Sequence, residues 1–290
     1  MGSDKEQNIK TENKLTLPGS IILSGLLIAG AIIYVYGGNG DGAASLPPEK
    51  ITAESYVLPI KLRNLGERMV SAGVIDRKKF EELYRQSGRL SEAAKLLSQN
   101  EDAYVEINPE NSDILLNFLW ALGLGQKNKL LEENFFADKN TAGGLASTAG
   151  WTIARGDAME HLGRHRFLPL TAEQESLVER LARTIYRPCC NNPAHLPDCN
   201  HGMAMLGLLE LMSAQNVSEE EMYKAALAAN SAWFPDTYRS LGEYFKSRGI
   251  RWETTSPKQI LSATYSSASG YQKFKDQMNR EPRGGSGCSV

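Results

Sequence analysis

The 290-residue chain has few of the residues that signal a disulfide scaffold or a nucleic-acid-binding surface. Only four cysteines and four histidines are present, a cysteine content far below that of small disulfide-stabilised folds. The 32 basic and 34 acidic side chains nearly cancel, which gives a formal net charge of −2. Proteins that bind phosphate backbones usually carry a basic excess. The composition therefore predicts no nucleic-acid partner.

The sequence also lacks the short motifs of several enzyme classes. It contains no phosphate-binding glycine loop, no dinucleotide fingerprint and no Ser–His–Asp order of the kind found in hydrolases. The hydrophobic content of 41% is still ample for a sizeable core without disulfides. The placement of the few cysteines and histidines is therefore the main indication of function in this sequence. The sequence does not decide whether the protein is an enzyme.

A long apolar run near the N-terminus predicts a membrane anchor. Residues 17–36 (LPGSIILSGLLIAGAIIYVY) carry no charge, and a helix of about this length crosses ~30 Å of hydrocarbon. Lysines precede the run, and no basic residue follows it before Lys50. The positive-inside rule then places residues 1–16 in the cytoplasm. We expect a single-pass membrane protein with an extracytoplasmic main domain; the alternative is a cleaved signal peptide.

Beyond the anchor, the sequence predicts a linker, a helical domain and a disordered tail. Residues 37–50 are rich in glycine and alanine and contain two adjacent prolines near their end, which is typical of a linker. Residues 51–280 show mainly the three- and four-residue hydrophobic spacing of helices. Residues 281–290 are rich in glycine and serine and contain Cys288. The expected fold class is mostly α, with little sheet.

Start and stop signals locate several helices. Leu58, Leu62, Leu65 and Met69 follow helical spacing, which predicts one helix ended by Gly73. N-terminal caps are predicted at Asp76, Ser112, Thr171 and Ser218, the last two within capping boxes. The stretches 112–125 and 202–216 are apolar on almost every side, so both helices should lie at the centre of the core.

Two other segments offer weaker candidates for a site. In the glycine-rich stretch 137–157, Ser147, Thr148 and Trp151 could line a pocket, although ordinary loop chemistry is the simpler interpretation. His161 and His165 are spaced to share a helix face and could be ligands. The neighbouring arginines, Arg164 and Arg166, disfavour a bound cation, which favours a surface or interface role for the pair.

The stretch RPCCNNPAHLPDCNHGMAM, residues 187–205, holds three of the four cysteines and two of the four histidines. Thiolate and imidazole are the ligands that zinc and copper favour. Two prolines between the candidates restrict the shapes that the chain samples, which lowers the entropy cost of gathering ligands. We therefore predict a zinc or copper site with these candidate ligands: Cys189, Cys190, His195, Cys199 and His201.

Geometry restricts how many of these side chains meet. Adjacent residues of an extended segment face opposite sides, so only one of Cys189 and Cys190 is expected to join Cys199. We favour Cys190, which leaves Cys189 as a spare thiol or substitute ligand. Met203 and Met205 would suit Cu(I), but helix geometry prevents both from converging with Cys199, and methionines in apolar helices are usually core residues.

Two other functions remain open for the same cysteines. Cys199 is predicted at a helix N-terminus, where the helix dipole lowers a thiol pKa. A thiol–disulfide oxidoreductase would use Cys199 as the attacking thiolate and Cys189 or Cys190 as the resolving thiol. A structural or interaction protein would lock Cys199 to one of them in an inert disulfide. Cys288 could act as a resolving or metal-relaying thiol, although a cysteine in a tail is more often incidental.

The segment PDCNHGMAMLGLLELMSAQNVSEEEM resembles, in order and spacing, the helical hairpin of the haem-handling thiol-reductase subunit of cytochrome c maturation. That family is membrane-anchored and extracytoplasmic. The resemblance covers residues 187–233 and implies thiol or metal chemistry outside the cytoplasm, with a protein or thiol partner there. This chain has RPCCNNPAHLPDC where the family has Cys-x-x-Cys, so the resemblance carries over no activity.

Overall fold

Helices dominate the part of the chain that the structure describes. A computed structural model describes residues 55–98, 102–133 and 136–280. The α-helices are α1 (Leu65–Ala72), α2 (Arg77–Glu82), α3 (Leu90–Ser98), α4 (Ser112–Gly125), α5 (Lys139–Gly144), α6 (Ala146–Ala149), α7 (Ala172–Ala182), α8 (Asn200–Ala214), α9 (Glu219–Trp233), α10 (Pro235–Ser247), α11 (Pro257–Ile260), α12 (Ala263–Ser266) and α13 (Ala268–Arg280). Short 3-10 helices occur at Lys129–Leu131, Ala158–Glu160 and Trp252–Thr254. The mostly α fold class is confirmed for these residues.

Several predictions concern residues outside this description. They are the tail 1–16, the membrane helix 17–36, the linker 37–50, and the C-terminal tail with Cys288. Among the described helices, none has both the length and the apolar character that crossing a bilayer requires. The described residues all belong to one compact unit, Lys50–Val290.

The first described element is a strand, where the sequence predicted a helix. Residues Tyr56–Lys61 form β1, which pairs antiparallel with β2, Tyr104–Ile107. Leu58 and Ile60 are buried and alternate with more exposed neighbours, which is the period of a strand. The four-residue spacing from Leu58 to Leu62 fits a period of two as well as a helix, so the hydrophobic spacing alone misled the prediction.

Most predicted helix ends are confirmed. The predicted caps that the structure confirms are Gly73, Asp76, Thr171 and Ser218. Thr171 forms both hydrogen bonds of a capping box, whereas Ser218 only accepts the backbone N–H three residues on. Ser112 is an exception, because it is the first residue of α4 and Asn111 precedes it without a side-chain cap.

The centre of the core is the contact between α4 and α8, both of which are buried on nearly all sides as predicted. Gly123 and Gly207 let the two backbones approach each other. A Cβ added to Gly207 would lie 2.8 Å from the Gly123 nitrogen and closer still to the Leu119 oxygen. No larger side chain fits there unless the helices separate.

Gly207→Ala should destabilise the protein by about 1–3 kcal/mol, the usual cost of overpacking a tight core. Gly144→Ala is the matched control, since a Cβ there meets nothing within 4 Å and should change stability by less than about 0.5 kcal/mol. Urea unfolding followed by circular dichroism measures both. Equal unfolding midpoints for the two variants would contradict the close approach of α4 and α8.

A carboxyl group lies inside this core. Glu210, on α8, is completely buried. The Asn128 side-chain amide donates to its Oε1 at 2.6 Å, while Oε2 has no hydrogen-bond partner within the described ranges. Burial raises the pKa of Glu210 well above its usual value, although the bond from Asn128 opposes this. The folded protein therefore keeps this carboxyl protonated at pH values where the unfolded chain ionises it.

Glu210→Gln should stabilise the protein, and the gain should grow as the pH rises. The favourable contribution of protonated Glu210 is fully present below the unfolded carboxyl pKa of about 4.3 and is lost as the pH rises toward the folded pKa. The loss is at most about 1.4 kcal/mol per pH unit, and glutamine has no proton to lose. Unfolding free energies of both proteins between pH 4 and pH 7 test this, and a difference independent of pH would contradict it.

Candidate functional site

The cysteines lie in residues 183–199, here called the cysteine loop, between α7 and α8. Backbone hydrogen bonds fix the loop on both sides. Within it, the Ala194 amide donates to the Ile185 oxygen at 2.8 Å. From the C-terminal helices, the Ala268 amide donates to the Cys190 oxygen at 2.9 Å. The positions of the cysteines are therefore set by the surrounding fold as well as by the loop itself.

Three sulfur atoms converge at this loop. The Sγ atoms of Cys189, Cys190 and Cys199 all lie within 4.8 Å of one another, and those of Cys189 and Cys199 are 3.5 Å apart. All three are free thiols, since a disulfide bond is about 2.05 Å long. The expectation that only one of the two adjacent cysteines faces Cys199 is wrong. The backbone turns here, with the Cys190 amide 3.4 Å from the Arg187 oxygen, so neighbouring side chains need not point apart.

A buried guanidinium group lies against these sulfurs. Arg187 is 1% exposed, and all three of its nitrogens donate. Nε donates to Cys199 Sγ at 3.1 Å and Nη1 to the Asn192 oxygen at 2.7 Å. Nη2 donates to the Leu196 oxygen at 3.0 Å and to Asp198 Oδ1 at 2.5 Å. A buried cation needs anionic partners, and Asp198 and the Cys199 sulfur are the groups placed to supply them.

The start of α8 completes the surroundings of Cys199. Cys199 is the N-cap residue, and its sulfur accepts the Gly202 amide at 3.4 Å. A Cβ added at Gly202 would lie 2.5 Å from Cζ of Arg187, so a larger residue there would displace the guanidinium from its hydrogen bonds. The Cys199 sulfur thus receives one N–H from the helix end and another from the guanidinium. Both donors favour the thiolate form.

The pKa values of Cys189 and Cys199 are shifted in opposite directions. Hydrogen bonds from Cys189 and then Cys190 hold the pKa of Cys199 below the usual thiol range; His201 and Arg187 act in the same direction, and burial opposes them. The pKa of Cys189 is raised, mainly because its proton is held in hydrogen bonds to Cys190 and Cys199. Both shifts favour the thiolate form at Cys199, beside Arg187.

The two predicted histidine ligands occupy different surroundings. Among the described residues, the three cysteine sulfurs lie within 4.8 Å of one another. No ring nitrogen of either histidine belongs to this group. His201, in the first turn of α8, lies with its ring centroid 4.4 Å from that of Phe234 and lowers the pKa of Cys199. His195 has its own pKa lowered by burial and by Arg183. Among the residues that the structure describes, the Nδ1 atoms of both rings are buried without a hydrogen-bond partner.

The remaining candidates from the sequence lie elsewhere. Met203 and Met205 are buried core residues, at 0% and 1% exposure, as the helix pattern suggested. Ser147, Thr148 and Trp151 are also buried, and the Trp151 indole donates to the Val74 oxygen at 3.0 Å. These three side chains pack in the protein interior.

Sequence reasoning did not assign a role to Arg187, Asp198 or Gly202. The only available signal was their position within the cysteine-rich stretch, since Arg187 precedes the first cysteine by two residues and Asp198 directly precedes Cys199. Nothing in the pattern showed that the arginine is buried or that it reaches across the loop. Those facts depend on how the loop folds against α8.

Comparison of the chain with protein-family models, with curated proteins and with solved structures finds no match in any of the three. The resemblance to the thiol-reductase subunit of cytochrome c maturation therefore stays a prediction.

Arg187→Lys should raise the pKa of Cys199, because an ammonium group cannot reproduce the planar set of donors that includes the bond to Sγ. The rate of iodoacetamide alkylation at Cys199, measured by mass spectrometry on metal-free protein as a function of pH, reports this pKa. The midpoint should move to higher pH.

Asp198→Asn is the matched control for that measurement. It removes a negative charge near the thiolate, so the alkylation midpoint should fall or stay unchanged. An upward shift of equal size in both variants would show that Arg187 acts only by holding the loop together, and would contradict its electrostatic role.

Proposed function

We propose that the cysteine loop binds a thiophilic metal ion, zinc in the first place, through Cys189, Cys190 and Cys199. The observation that supports this most is the convergence of three sulfurs. Zn–S bonds of about 2.3 Å in a tetrahedral site place the sulfurs about 3.8 Å apart. The sulfurs here lie within 4.8 Å of one another, with one pair at 3.5 Å. Only small movements would bring all three onto one ion.

Charge favours zinc over Cu(I). Three thiolates and a divalent ion carry one net negative charge, whereas three thiolates and Cu(I) carry two. The pair formed by Arg187 and Asp198 adds no net charge, at an N–O distance of 2.5 Å. Excess negative charge in a partly buried site is costly, so the divalent ion suits these surroundings better. Arg187 would also keep its N–H donor on a coordinated sulfur, a typical role for groups around a metal site.

His201 is the better candidate for a fourth ligand. It lies two residues after Cys199 and lowers the pKa of Cys199, and its buried Nδ1 finds no partner in the described part of the chain. A neutral imidazole would add no further charge to the site. His195 is instead influenced most, after its burial, by the cation Arg183. A site of three cysteines and one histidine is a familiar structural zinc arrangement. Within the predicted topology, with 17–36 as a membrane anchor, this site would face outside the cytoplasm.

Zinc analysis of the full chain, purified in neutral detergent, tests the proposal. We expect about one zinc ion per chain, and loss of that ion in Cys199→Ser. Cys288→Ser is the matched control, because it removes a thiol that lies outside the cysteine loop, and it should retain the metal. Equal zinc content in wild type and Cys199→Ser would contradict the proposal.

The same measurement separates the two histidines. Competition with a chromophoric chelator should show that His201→Ala binds zinc more weakly, by at least the roughly 10–100-fold that loss of an outer-shell partner costs. His195→Ala should bind zinc as wild type does. The opposite order would keep a metal site at the cysteines but would assign its fourth ligand to His195.

A second function, thiol–disulfide exchange, is favoured by one observation. The exposed Cys189 lies 3.5 Å from Cys199, whose pKa is lowered by its neighbours. The Cys199 thiolate would attack a disulfide of a partner protein and release one partner sulfur as thiolate. The Cys189 thiolate would then attack Cys199 Sγ, which releases the second partner thiolate and leaves a Cys189–Cys199 disulfide. Protein that binds no zinc but reduces a model disulfide through these two residues would support this function instead.

A further inference from the structure

A basic groove lies on the surface of the described unit, between α1 and residues 164–167. It encloses about 530 Å³, and its charged and polar lining consists of Glu67, Arg68, Ser71, Arg164, His165 and Arg166. Three arginines face a single carboxylate, so the groove carries about two net positive charges. The whole chain carries a net charge of −2. Positive charge is therefore concentrated in a groove of a slightly acidic protein.

Backbone hydrogen bonds fix the segment that carries two of these arginines. The His165 amide donates to the Gly125 oxygen at 2.8 Å, and the Lys127 amide donates to the His165 oxygen at 2.7 Å. Residues 126 and 165 form an isolated parallel bridge. Arg164 and Arg166, on either side of His165, both line the groove.

Contacts with the same segment position Arg68. Its Nη2 donates to the Phe167 oxygen at 2.6 Å, and its guanidinium carbon lies 5.9 Å from the centroid of the Phe167 ring. The Nη2 edge of the Arg68 guanidinium is thus engaged in a hydrogen bond within the protein. Nε and Nη1 have no hydrogen-bond partner among the described residues, so this arginine can donate to a ligand without breaking a bond that holds it in place.

Like charges that share a groove repel one another, and the protein supplies little to offset this. In the described part of the chain, Arg164 and Arg166 form no ion pair, in contrast to exposed arginines such as Arg85 and Arg239 that pair with a nearby carboxylate. Glu67 is the only acidic residue of the lining. An anion in the groove would relieve the repulsion.

We propose that this groove binds a phosphate group. Guanidinium groups match the geometry of phosphate oxygens and can donate two parallel hydrogen bonds to them. Arg68 would contact the phosphate from α1, whereas Arg164 and Arg166 would contact it from the segment 164–167 on the other side of the groove. His165 adds a ring between them, whose Nε2 is paired with His161 Nδ1 at 3.0 Å. The site is independent of the metal proposed at the cysteine loop.

Titration of the full chain in neutral detergent with inorganic phosphate, followed by calorimetry, tests this inference. Arg164→Gln combined with Arg166→Gln should weaken phosphate binding about tenfold, the loss expected for two exposed charge pairs. The matched control is Arg85→Gln combined with Arg239→Gln, which removes the same charge from surface positions outside the groove. This control should bind phosphate as wild type does.

Two further measurements distinguish specific phosphate binding from general attraction of anions, and a lipid headgroup from free phosphate. Chloride at the same ionic strength should not displace phosphate, and displacement would show mere attraction of anions to a charged surface. A soluble short-chain phosphatidic acid that binds more tightly than inorganic phosphate would identify a lipid headgroup as the source; equal or weaker binding would identify a free phosphate.

Absence of phosphate binding in wild type, or equal binding in wild type and the Arg164/Arg166 double variant, would overturn the inference. Unfolding midpoints of the double variants check that folding is intact, and exposed substitutions should leave them nearly unchanged. Zinc content should also be unaffected, so failure here leaves the proposal for the cysteine loop untouched.

Discussion

The site depends on the placement of one buried cation against one sulfur. Arg187 lies almost fully out of solvent and donates to the Cys199 sulfur, to Asp198 and to two backbone oxygens of the same loop. Burying a guanidinium is unfavourable unless its charge and its N–H groups are all satisfied. The loop can satisfy them only when it closes around the arginine, and that closure also brings Cys189 and Cys190 to Cys199. The convergence of the sulfurs and the burial of Arg187 therefore depend on the same conformation of the loop.

The position of α8 connects this loop conformation to the rest of the protein. Close contact between the backbones at Gly123 and Gly207 fixes α8 against α4 in the middle of the core. Cys199 lies at the N-terminus of this helix as its N-cap, so the packing of α8 sets the position of the sulfur. The three free thiols lie at the edge of the core, where Cys189 is exposed and the other two are partly buried. A site of this kind is held by the fold on one side and remains open to solvent on the other.

Local signals explain what could be predicted from the sequence. The caps at Asp76 and Thr171 and the apolar helix around Gly207 are determined by neighbouring residues, and they were predicted correctly. The strand at Leu58 was missed because its spacing fits both periods and its partner strand lies more than forty residues away. The role of Arg187 was missed for a related reason. An arginine beside cysteines looks like a surface residue until the loop is known to fold over it.

Arg187 also influences which chemistry the cysteines can perform. Hydrogen bonds from Cys189 and Cys190 lower the pKa of Cys199, and the positive charge of Arg187 acts in the same direction. A lowered pKa makes it easier for this sulfur to lose the proton that metal binding displaces. The lowered pKa of Cys199 would equally favour attack by its thiolate on a disulfide. The two functions differ in the remaining thiols: a metal requires Cys190 and a fourth donor, whereas exchange requires only the Cys189–Cys199 pair. The backbone turn at Arg187 places the Cys190 sulfur beside that of Cys189. Disulfide exchange does not require this third sulfur, whereas metal binding does, and for this structural reason we prefer the metal-binding function.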